Sequence, residues 1–155
     1  MLVSVVNPNT ETVLEIGCGE VKGCQQEKHT AANARDLVRV GLLLKDMADH
    51  TEDMLGISNA VHLGFQVIGQ TSTFYLMRKC GTMYIMTQVC KIAIPDCLDD
   101  MGRVFTDYKS WRRLEEAIKA GYEPILNALA KGQTGVRKNH FPTITTPELK
   151  KIKDK

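Results

Sequence analysis

The apolar positions of the chain fall into blocks of different period. Leu2 to Val6 and Thr12 to Ile16 are short β-branched runs, separated by Asn7-Pro8-Asn9-Thr10. Proline presets φ and asparagine tolerates the left-handed region, so this stretch predicts a turn and its flanks a β-hairpin. Residues 17–28 are rich in glycine, cysteine and charge and read as loop. From Thr30 onward, Ala34, Leu37, Val40, Gly41, Leu44, Met47 and Ala48 recur at helical spacing, with Asp36, Arg39, Asp46 and Asp49 on the opposite face. The pattern predicts an amphipathic helix that runs to Leu55 and stops at Gly56.

The next blocks also read as helical. Ser58 can cap a helix over 57–80 whose stripe is Val61, Phe65, Ile68, Ser72, Tyr75 and Leu76. Gly64 and Gly69 inside it suggest close approach of another helix. Met83 to Ile94 fits a helical stripe and a strand almost equally, and Pro95 as a stop favours the helix. Asp96 begins a short helix through Met101, Val104 and Phe105. Ser110 caps another, with Trp111, Leu114, Ile118 and Tyr122 inside and Arg112, Arg113, Glu115, Glu116 and Lys119 outside. Pro124 fits the first turn of a further helix that ends at Gly132. The expected fold is therefore mainly α: a helical bundle of five to six helices with a short N-terminal β-hairpin over residues 1–131. Residues 132–155 read as a basic linker and a short C-terminal helix opened by Thr146-Pro147-Glu148.

Composition changes this picture little. With 155 residues, 43% hydrophobic and 25% charged, the chain has the proportions of an ordinary globular domain. Such a domain buries about two-thirds of its unfolded surface and needs no disulfide or metal to fold. No apolar run approaches a membrane span, and Met1 to Val6 lacks the basic start and cleavage site of a signal peptide. The five cysteines are odd in number and three lie among apolar residues, which fits a reducing compartment. An intracellular location, whether cytoplasmic, nuclear or inside a virion, is the expectation.

Charge is placed unevenly. Residues 1–100 carry 8 Lys/Arg against 12 Asp/Glu, and residues 131–155 carry 7 against 2. The basic tail makes Arg137, Lys138, Lys150, Lys151, Lys153 and Lys155 candidates for contact with nucleic acid or an acidic partner. Trp111 with Arg112 and Arg113 could stack on bases, although the helical stripe assigns Trp111 to the core.

Two constellations could carry chemistry. Cys18, Cys24 and His29 can all ligate zinc, with His50 or His62 as a fourth ligand, but the spacing is not that of a known finger. Thr12-Val13-Leu14-Glu15-Ile16-Gly17-Cys18-Gly19 resembles the first motif of the S-adenosylmethionine-dependent methyltransferases. That resemblance implies a strand running into a glycine-rich turn whose backbone approaches the cofactor. The next glycine of the motif falls on Val21 here, and no strand–helix alternation follows. Phosphate-loop, nucleophile-elbow and His-Glu-x-x-His patterns do not occur. Asp99-Asp100 and Glu115-Glu116 point about 100° apart on a helix and do not converge.

The leading expectation is a non-enzymatic structural or interaction module. It would self-associate or bind a protein partner, in the manner of viral matrix, nucleocapsid or adaptor proteins, with no cofactor, metal or catalytic residue. The hairpin edge and the methionines (Met47, Met54, Met77, Met83, Met86 and Met101) motivate it. A nucleic-acid-binding protein using the tail is the alternative, and a methyltransferase the second.

Overall fold

The computed structural model describes residues 1–6 and 13–132. Strands β1 (Leu2–Val6) and β2 (Val13–Lys22) precede the long helix α1 (Thr30–Leu55). Strands β3 (Val61–Ile68), β4 (Thr71–Cys80) and β5 (Met83–Ala93) follow in one run. A short helix α2 (Gly102–Thr106) and the long helix α3 (Tyr108–Ala130) complete the described chain. The strands form one mixed sheet in the order β1-β2-β3-β4-β5, parallel only between β2 and β3, where α1 makes the crossover.

This α/β arrangement overturns the expected helical bundle. The N-terminal hairpin pairs as anticipated, Val6 with Val13 and Val5 with Leu14. Beyond Gly56, however, the helices expected over 57–80 and 83–94 are three antiparallel strands. Val61, Phe65, Ile68, Ser72 and Tyr75 fit a helical stripe by coincidence of spacing. The residues themselves are largely β-branched or aromatic, which favours a pleated surface. Two-residue loops, Gly69-Gln70 and Gly81-Thr82, close the hairpins, and both glycines take positive φ (58° and 63°). Such loops favour glycine at their first position. Gly64 does allow close approach, but of α1 to the sheet: a Cβ there would sit 2.7 Å from Leu44 Cδ1. Residues 110–130 also differ from expectation, because α3 continues through Pro124 as one helix.

α1 and α3 cover opposite faces of the sheet. Cys18, Val40, Leu44, Met47 and Met77 pack between α1 and one face, with Tyr84 and Met86 beside them. Leu14, Ile16, Leu63, Cys90, Ile92, Leu114, Tyr122, Ile125 and Ala128 pack between α3 and the other. Leu14, Ile16 and Cys18 would share a face in a regular strand. A bulge at Ile16, where the β1–β2 register skips one residue, turns Cys18 to the α1 side. The Tyr122 hydroxyl ties α3 to this point by donating to the Ile16 carbonyl at 3.1 Å.

Candidate interaction surface

The chemistry anticipated from sequence is dispersed by the fold. Gly17, Cys18 and Gly19 lie inside β2, paired with Leu63, Gly64 and Phe65 of β3. They form no strand-to-helix turn. A Cβ on Gly17 would meet the Leu63 carbonyl oxygen at 2.5 Å, and one on Gly19 would meet the Phe65 ring at 2.5 Å. These glycines are small because a neighbouring strand and an aromatic ring lie against them.

The proposed zinc ligands are also apart. Cys18 is buried with its thiol 3.7 Å from the Val40 carbonyl, and burial pushes its pKa up to about 11. Cys24 and His29 are exposed on either side of the turn before α1. Among the described residues the one group of possible metal ligands held close together is Asp96, Cys97 and Asp100 on the surface after β5. Asp96 there already accepts a hydrogen bond from Gln70. The basic residues Arg137, Lys138, Lys150, Lys151, Lys153 and Lys155 lie outside the described residues. No described helix is long and apolar enough to cross a membrane.

Sequence reasoning missed a polar network. Asp36 and Asp49 were expected on the solvent face of α1, yet both are buried. Lys22 and Arg39 pair with Asp36. Asp49 receives Lys45 at 3.0 Å, Lys79 at 3.2 Å and the Tyr84 hydroxyl. Lys79 also reaches Glu52 at 2.7 Å, and both lysines lie over the Tyr84 ring. Burial alone would raise the pKa of Asp49, but the hydrogen bonds from Tyr84, Lys45 and Lys79 outweigh it and hold the carboxyl below its usual range. Burial opposes the charge on Lys79, but Glu52 and Asp49 reverse the effect and raise its pKa. Every charge here has a partner, so the network serves to fix α1 across β4 and β5.

The surface features that packing does not explain lie at and after β5. Leu98, Met101, Phe105 and Tyr108 recur at spacings of three and four through the 3-10 turn Leu98–Met101, α2 and the start of α3. The sequence predicts a short helix through Met101 and Phe105 and does not say which side they face. In the fold Leu98 is 88% and Phe105 80% exposed, with Tyr108, Met101 and Ile94 also open to solvent. Trp111, expected in the core, is 41% exposed at the edge of the same stripe. Among the described residues no element covers these side chains. Large aromatic and methionine side chains in one open stripe are the composition of interface centres.

β5 itself is the long edge of the sheet. From Met83 to Cys90 it has no Asp, Glu, Lys, Arg or Pro. Charge, proline and shortness are the usual protections of an open edge; β1, the opposite edge, at least is short. Next to β5, Val61, Leu76, Arg78, Ile85 and Thr87 face Ala117, Ala120 and Gly121 of α3 across a groove of about 390 Å³. No family model, no curated protein and no solved structure matches the chain.

Proposed function

We propose that this protein is a non-enzymatic interaction module that associates with itself. The observation that carries the reading is the open stripe of Leu98, Met101, Phe105, Tyr108 and Trp111. A single exposed leucine is ordinary, but five large exposed apolar side chains within fourteen consecutive residues are not. An aromatic side chain can bury roughly 150–250 Å². Three of them with Leu98 and Met101 therefore supply a large part of the roughly 800 Å² that each partner contributes to a stable interface. Asp49, the buried carboxylate with a depressed pKa, belongs to a closed ion-pair network rather than to a cleft, which favours a binding role over acid–base chemistry.

Multi-angle light scattering from 1 to 100 µM tests the reading. A mass of about twice the chain supports it, and its weakening on Phe105→Ala with Tyr108→Ala ties it to the stripe. A species of 17.3 kDa at every concentration removes it.

A further inference from the structure

We infer that a second copy of this chain pairs antiparallel along β5, joining two sheets of five strands into one continuous sheet. The inference rests on the self-association proposed above and adds where and how the copies meet.

The strand geometry fixes which backbone groups are available. Cys80 and Met83 flank the two-residue loop Gly81-Thr82, and a hairpin of this length closes on a hydrogen-bonded pair. Met83 therefore points its N–H and C=O at β4. In an antiparallel ladder this direction alternates, so Ile85 and Thr87 also face β4, while Tyr84, Met86 and Gln88 face outward. The other end of the strand agrees. The Ile94 N–H donates inward to the Gln70 carbonyl, whereas the Ala93 N–H turns outward and donates to the Asp107 carboxylate at 3.3 Å. A bulge at Val89, skipped between the pairs Phe74–Cys90 and Tyr75–Gln88, reconciles the two counts. The edge is thus capped by Asp107 at its C-terminal end, followed by Lys91 and the bulge. It is regular and uncharged from Met83 to Gln88.

This segment is compatible with its own copy. A two-fold axis perpendicular to the sheet at Met86 sets Met86 against Met86, Tyr84 against Gln88 and Ile85 against Thr87. All three outward residues then lie opposite outward residues, which forms about six backbone hydrogen bonds. The axis keeps α1 of both copies on one side and α3 on the other. No like charges oppose each other; Ile85 lies opposite the copy's Thr87, and Met83 opposite the copy's Val89. The contact is isologous and closes at two copies. Strand pairing alone falls short of the roughly 800 Å² per partner of a stable dimer. The exposed apolar residues from Leu98 on begin five positions after β5, and Asp107 among them is hydrogen-bonded to the end of that strand, which brings part of the stretch beside the edge.

Ile85→Lys with Thr87→Lys tests the pairing, because it places lysines opposite lysines across the axis at positions open enough to keep the fold. Leu2→Lys with Val6→Lys on β1 is the control. The wild type is expected to be a dimer. The β5 variant should be folded by circular dichroism and dissociate at least 100-fold more readily, and the β1 variant should behave as wild type. A β5 variant that is folded and still dimeric, or a β1 variant that dissociates, overturns the β5 pairing while self-association stands. A monomeric wild type overturns both. Hydrogen exchange on the wild type decides the matter if the β5 variant does not fold. The Tyr84, Met86 and Gln88 amides should be protected at 100 µM and exchange faster on dilution. Free exchange of these amides in a dimeric sample rules the pairing out.

Discussion

Mild acid should weaken the fold of this protein through one residue. His62 sits in β3 with its side chain fully buried. Neither ring nitrogen has a hydrogen-bond partner among the described residues. Burial pushes its pKa down to about 4, and the nearby Ile16 backbone offsets this only in part. The unfolded chain takes up this proton near pH 6.5. Between these values the unfolded state binds a proton that the folded state excludes, so stability falls as pH drops from 6.5 toward 4 and is unaffected above 6.5. At 1.36 kcal/mol for each pH unit, the loss by pH 4.5 is roughly 2–3 kcal/mol. Domains of this kind have about 5–15 kcal/mol in total. Asp49, whose pKa is lowered, loses its contribution only as pH falls below the ordinary carboxylate value of 3.8, so it stays out of this window. Urea titrations at pH 7.5, 6.0, 5.0 and 4.5 measure the effect. The wild-type midpoint should decline through the series, and His62→Gln should decline much less. Equal decline in both proteins refutes the assignment, as does a wild-type midpoint that does not move.

Other perturbations separate packing from surface. Gly17→Ala sets a methyl group against the Leu63 carbonyl of a paired strand, and overpacking of this kind costs about 1–3 kcal/mol, which thermal denaturation would register; an unchanged midpoint means β2 and β3 lie farther apart. Lys79→Met leaves Asp49 and Glu52 without a shared cation and should cost on the order of 3 kcal/mol, several times the loss from Tyr84→Phe, in urea titrations at pH 7. Phe105→Ala should change the stability of the monomer by less than about 0.5 kcal/mol, since its side chain is exposed, yet weaken association measured by sedimentation.

The sequence made some elements legible because their determinants are local. α1 follows from a sustained 3.6-residue period, and its end from Gly56, which takes φ 70° as a helix stop requires. The β1–β2 pairing follows from two β-branched runs around a turn signal. The region from Val61 to Ala93 was misread because its apolar residues satisfy two periods at once. The informative residues were Gly69-Gln70 and Gly81-Thr82, which look like interruptions of a helix but are hairpin loops.

The surface was harder to read than the fold. Periodicity suggests a helix through Met101 and Phe105, and says nothing about whether another element covers them. The burial of Asp36 and Asp49 depends on Lys22, Lys79 and Tyr84, which are distant in the chain and meet α1 only once the sheet is formed. The open edge of β5 was not visible because the segment was read as a helix. Once its strand state is known, the absence of charge from Met83 to Cys90 becomes informative.

Sedimentation velocity of the wild-type chain across 1–100 µM tests the central claim most directly. Self-association predicts a reversible shift, with rising concentration, from one chain of 17.3 kDa to a species of twice that mass. One sharp boundary at the mass of a single chain throughout the range would contradict it.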